Sequence, residues 1–236
     1  MLQTTRAVVL RTIRHGDRTT ILKAYTEAFG ARSYMVRTSA KGAVRATHLQ
    51  PLARLELVVT EDHERDLHAV REARIEKPFV GVPAEPVRGI LLLFAQEVFL
   101  RTLREESPDQ ALFDFVQRTL EDIDTGPDPG QQPLMLLAGL CGHLGFRPTP
   151  PAGGEHRFDM REGFFFKGPS PHVFCMEPAT SRAFAQILGA MRDNTPARVE
   201  PASRKALLDD LLTFFRFHVE GFGQLRSPEV LHHLLH

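Results

Sequence analysis

The chain has 236 residues, is 42% hydrophobic and 25% charged, and carries 29 Lys and Arg against 29 Asp and Glu. That make-up belongs to a globular protein of one large or two modest domains, with a core that needs neither disulfides nor metal. Two cysteines exclude a disulfide scaffold, no apolar run is long enough to span a bilayer, and the N-terminus lacks a signal-peptide core; a cytoplasmic location is the expectation. The zero net charge hides an imbalance: residues 1–60 hold ten Lys and Arg against three acids, a net +7, and the remainder holds −7. A basic front implies a polyanionic partner.

The first 60 residues read as short strands. Arg6 to Ile13 is rich in β-branched and aliphatic residues and runs into the turn His15-Gly16-Asp17. Thr19 to Tyr25 follows, then the turn Glu27 to Gly30 and a third strand from Ser33 to Thr38. Leu55, Leu57 and Val59 alternate with polar neighbours, the period of a half-buried strand. Residues 61–77 fit neither period well; a fifth strand there would close a barrel. Strands this close together leave no room for crossover helices, so the sheet is expected to be antiparallel.

Val80 to Pro86 reads as a linker by its glycine and prolines. Beyond it the period becomes helical. Leu91 to Thr102 gives one helix. Ser107-Pro108 caps a second that runs through Ile123, and Leu134 to Leu144 forms a buried third. Phe158 and Phe164 to Phe166 suggest a hairpin, and Thr180 to Met191, Ser203 to Val219 and Ser227 to Leu235 complete a helical back half. The fold class is therefore α+β: a small antiparallel β-barrel in residues 1–79 and an α-helical domain in residues 80–236.

No phosphate-binding glycine loop, nucleophile elbow or His-Glu-x-x-His motif occurs, and no acid–base pair stands out, so an enzyme is not expected. Cys141 and Cys175 stand apart and read as buried small hydrophobes; His232, His233 and His236 share a terminal helix face and read as frayed polar ends. Neither set is expected to hold a metal, and no cofactor is expected. The Phe-rich back half reads mostly as core, with a groove for an apolar peptide end as the functional alternative.

Several segments resemble the bacterial recombination mediator RecO family. They are Thr5 to Ile13, His15 to Leu22, Thr26 to Gly30, Lys41-Gly42, Leu49 to Leu52, Phe94-x-x-Glu97, Pro108 to Phe115 and Leu144 to Pro148, in the family's order. The likeness spans nearly the whole chain. It implies an OB-fold followed by a helical domain. It implies binding of single- and double-stranded DNA, strand annealing, and action with RecR to load RecA on strands covered by single-strand-binding protein, whose C-terminal tail is a further partner. It implies a nucleoid-associated location. Many members carry a four-cysteine zinc site after the segment matching Leu144 to Pro148. Thr149 to Gly154 stands where the first cysteine pair is expected and Cys175 stands alone, so a proline-rich loop and hairpin near 148–175, without zinc, are expected instead.

Phosphate contacts are expected from Arg14, Arg18, Arg32, Arg37, Lys41 and Arg45, which flank turns or follow strands, with Gly42 letting backbone approach a phosphate. Tyr25 and Tyr34 are the candidates for base stacking. An RNA-binding accessory protein or a protein-interaction scaffold without DNA function are the competing readings.

Overall fold

Alternation of apolar and polar residues folds the front of the chain into β1 (Leu2–Arg14), β2 (Thr19–Thr26), β3 (Gly30–Arg37), β4 (Arg54–Thr60) and β5 (Leu67–Lys77). The structure, a computed structural model, describes residues 2–17, 19–39, 42–61 and 67–231. The strands close into a barrel in the order β1-β2-β3-β5-β4, the OB-fold type. Five strands cannot alternate direction all the way round a ring. One neighbouring pair must run parallel, and it is β3 with β5, where Ser33, Tyr34 and Met35 face Leu67, His68 and Ala69. The other four pairings are antiparallel, as expected.

Leu22, Ala24, Tyr34, Val36, Leu55, Leu57 and Val59 fill the barrel. The fifth strand is present, and its blurred alternation has a physical cause. Val58 pairs with Glu72 but Val59 with Val70; Arg54 pairs with Lys77 but Leu55 with Ile75. One residue of β5 bulges at each shift, and each bulge resets the inward face.

The segment read as a linker is instead fixed structure: α1 (Gly81–Ala84) leads into α2 (Pro86–Thr102). The buried Asp124 carboxylate accepts the N–H groups of Val80, Gly81 and Val82 at 2.8–3.1 Å. Burial pushes its pKa up, but these N–H groups and Arg54 outweigh that and hold it below the usual carboxylate range. Gly81 is required there, because a Cβ would lie 1.9 Å from the Asp124 carbonyl oxygen. The helix α3 (Gln110–Thr125) starts later than Ser107-Pro108 suggests, since its cap is Asp109, whose carboxylate accepts the Leu112 N–H at 2.9 Å.

Arg54 lies on the outward face of β4 yet is only 2% exposed. Its guanidinium donates to Glu121 of α3 at 2.8 Å, approaches Asp124 at 3.9 Å and stacks over Phe79 at 4.8 Å. The barrel and α3 thus belong to one compact unit, Met1–Thr125.

The second unit, Gly126–His236, holds α4 (Gln132–His143), the hairpin β6 (Arg157–Asp159) with β7 (Phe164–Phe166), α5 (Pro178–Asp193), α6 (Pro201–His218) and α7 (Pro228–Leu231). Phe158 meets Phe184 and Phe214 edge-on at 5.1 and 5.2 Å, so the Phe-rich stretches are largely core. On α6, burial pushes the Asp210 carboxyl up to about 6. No helix among the described residues is long and apolar enough to cross a membrane.

Arg54→Ala leaves Asp124 buried without its cation and is expected to cost about 3 kcal/mol in chemical denaturation. For Asp210 the folded state favours the neutral form, a contribution present below about pH 4 and lost as pH rises through about 6. Asp210→Asn is therefore expected to add about 1 kcal/mol of stability at pH 8, an advantage that disappears below about pH 4 when denaturation is followed at both.

Candidate nucleic-acid interface

The turn end of the barrel gathers exposed cations. Arg14 pairs in register with Thr20, and Thr19 with Arg37, so both arginines sit beside the β1–β2 turn. The Arg14 side chain is 80% exposed, and its nearest carboxylate, the fully exposed Asp17, is 3.8 Å away. Arg37 is exposed at the end of β3, and Gly42 and Arg45 are exposed in the following loop. Arg37, Met35, Val44, Ala69 and Arg71 border an open pocket of about 470 Å³. Arg71 was not legible as a site residue: a bulge in β5 sets its place, and it donates to Thr60 Oγ1 at 3.3 Å. Arg18 and Lys41 lie outside the described residues, as do His232, His233 and His236.

Three expected site residues are buried or already engaged. Arg32 takes the inward period with Tyr34 and Val36, and its guanidinium meets Glu61 at 3.6 Å and Glu106 at 3.5 Å. These two carboxylates meet its charge. Tyr34 is fully buried and its hydroxyl donates to Glu61 at 3.0 Å; burial, then the Glu61 charge, push its pKa up. Tyr25 is 1% exposed, stacks on Phe113 at 6.2 Å, and is pushed up to about 12 by burial. Neither ring offers a face to a base, which corrects the stacking assignment. Arg6 is likewise engaged, donating to Glu27 at 2.9 Å and lying over Phe113 at 5.2 Å.

The hairpin region holds a cluster that sequence reading missed. Cys175 does not stand alone: Asp159, His172 and Cys175 bring their polar atoms within 4.8 Å of one another. Asp159 and Cys175 face each other in an antiparallel bridge. Asp159 Oδ1 accepts the N–H groups of Arg161 and Glu162 at 2.8 and 3.2 Å, and Oδ2 lies 3.2 Å from His172 Nε2. His172 Nδ1 accepts the Phe174 N–H at 3.3 Å and faces Cys175 Sγ at 3.6 Å. The carboxylate sits at Nε2 and the thiol at Nδ1. Burial pushes the Cys175 thiol up. The trio supplies one donor fewer than a structural tetrahedral ion takes, and its polar atoms form a hydrogen-bonded clasp.

An OB-fold-type barrel with exposed cations at one end, followed by a helical region, is the build of a nucleic-acid-binding protein. Family profiles described as "Recombination protein O N terminal" and "Recombination protein O C terminal" match residues 1–79 and 84–229. The chain belongs to the recombination protein O family, whose members are DNA repair and recombination mediators and not enzymes. It is similar to the DNA repair protein RecO of Porphyromonas gingivalis, 29% identical over 241 residues and 98% of each chain. It is equally similar to that of Bacteroides fragilis, 29% identical over 247 residues and 99% of each chain. The protein of the same description from Flavobacterium psychrophilum is 26% identical over 231 residues, 96% of each chain.

A chelator is expected to leave the melting temperature unchanged, whereas His172→Ala removes the middle of the clasp and is expected to cost about 1–2 kcal/mol. A melting temperature that falls with the chelator contradicts the clasp.

Proposed function

We propose that the protein binds single- and double-stranded DNA through the turn end of its barrel, with Arg14, Arg37 and Arg45 as phosphate contacts. Arg18, Lys41 and Gly42 are part of the same proposal. Exposure of Arg14, Arg37 and Arg45 around one end of the barrel carries the reading. Two complementary strands repel each other through their phosphates. Cations that neutralise both backbones lower that repulsion and release counterions. With Tyr25 and Tyr34 buried, neither tyrosine stacks on a base, and Watson–Crick edges stay free to pair. Strand annealing follows from neutralisation alone, with no bond made or broken in the protein.

The same proposal has the protein act with RecR to load RecA on strands covered by single-strand-binding protein, within the nucleoid. Recognition of that protein's acidic, apolar tail is supported by a surface on the second unit. There Arg161 lies over Phe174 at 4.6 Å and Phe217 at 5.7 Å, and Val173 and Phe164 are 87% and 51% exposed. Such a surface offers an apolar seat beside a cation.

The double substitution Arg14→Glu, Arg37→Glu is expected to weaken binding of single- and double-stranded oligonucleotides by at least about tenfold and to slow annealing, with unchanged circular dichroism. Unchanged annealing by a folded double variant contradicts the proposal. Preference for RNA over DNA of the same sequence in a competition assay would move the reading to an RNA partner.

A further inference from the structure

A cleft of about 530 Å³ lies between the outer face of β1, β2 and β3 and the end of α2 with the segment after it. Arg11 and Lys23 line one wall, Arg101 and Arg104 the other. Arg32 and the carboxylates Glu97 and Glu106 complete the charged lining, so positive charge exceeds negative by three. Arg32 is held by Glu61 and Glu106 and forms a fixed edge.

The barrel wall holds an arrangement that costs stability. Arg11 and Lys23 are direct register partners on adjacent antiparallel strands, both exposed, with no carboxylate partner among the described residues. Like charges directly opposed on neighbouring strands repel. The arrangement is also fixed in place. The register shift between Val9 and Arg11 bulges β1 at Leu10, whose carbonyl accepts the Gln96 side-chain N–H of α2 at 2.7 Å. A bulge that aims two opposed cations into a cleft already rich in positive charge calls for an anion between them. Strands about 5 Å apart let Arg11 and Lys23 grip one phosphate from two sides. Apart from Ser33 the remaining lining is aliphatic, Leu10, Leu100 and Leu103 among it, which suits sugar contact.

We propose that this cleft is a phosphate seat for the polynucleotide backbone and extends the turn-end path across the barrel. Arg37 pairs with Thr19, which shares the outward face of β2 with Lys23 four residues further on, about 13 Å at the rise of a strand. A single strand held by Arg37 at the turn end therefore continues along the same face into the grip of Arg11 and Lys23. The inference rests on the DNA-binding reading above and adds a site with its own residues.

The test measures binding of a labelled oligothymidylate, long enough to cover both sites, by fluorescence anisotropy. It compares the wild type, Arg11→Glu with Lys23→Glu, the milder Lys23→Gln, and Arg14→Glu with Arg37→Glu. The cleft double variant is expected to lose at least tenfold in affinity and Lys23→Gln a few-fold, while Lys23→Arg retains wild-type binding. Should the double variant unfold, Lys23→Gln and Lys23→Arg carry the comparison. Full affinity in the folded cleft variants, alongside loss in the turn-end variant, overturns the cleft proposal and leaves the DNA reading intact. No binding by the wild type overturns both. Labelled polyglutamate is measured on the same variants, and loss of its binding with DNA binding unchanged overturns the proposal in favour of an acidic protein partner.

Discussion

Closure of the barrel through the short parallel pairing of Ser33–Met35 with Leu67–Ala69 decides which amino-terminal cations face water. Once the ring is shut, each strand has an inside and an outside, and a residue's place in the alternation settles its charge environment. Arg32 falls in phase with Tyr34 and Val36 and is drawn to Glu61 at the barrel's edge. Arg37 falls in phase with the outward residues and reaches solvent. The net +7 of the first 60 residues is thus divided between cations satisfied by carboxylates and cations left for a polyanion.

Acids from later in the chain carry out much of that division. Arg6 is met by Glu27, Glu76 and Asp114, Arg32 by Glu61 and Glu106, and Arg54 by Glu121 and Asp124. Lys77 and Arg54 both hydrogen-bond the Glu121 carboxylate and hold its pKa down. The front's positive charge and the back's negative charge are therefore partly structural complements. What remains for the proposed DNA contact is a smaller, localised set at the turn end, with Arg11 and Lys23 in the cleft beside α2.

The alternation of Leu55, Leu57 and Val59 was enough to read β4, and the change to helical spacing after residue 80 was enough to read α2 to α6. β5 was blurred because two bulges interrupt its alternation. The Val80 to Pro86 stretch looked like a linker because glycine and proline also suit a tight contact, and only Asp124, 44 residues away from Val80, reveals it. Arg32 carried a usable signal, since its alternation with Tyr34 and Val36 points inward, whereas the burial of Arg54 depends on α3 packing that no local pattern announces. The Asp159, His172 and Cys175 clasp joins residues separated by a hairpin, so neither cysteine spacing nor histidine count could find it.

The central claim is that exposed barrel cations hold the DNA backbone by charge, without base readout. Its most direct test is the salt dependence of binding to a mixed-sequence single strand. The logarithm of the association constant is expected to fall linearly with the logarithm of salt concentration, with a slope of about −2 to −4 for a handful of phosphate contacts. The slope is expected to be the same for strands of different sequence. A slope near zero, or one that changes with sequence at constant length, contradicts the account.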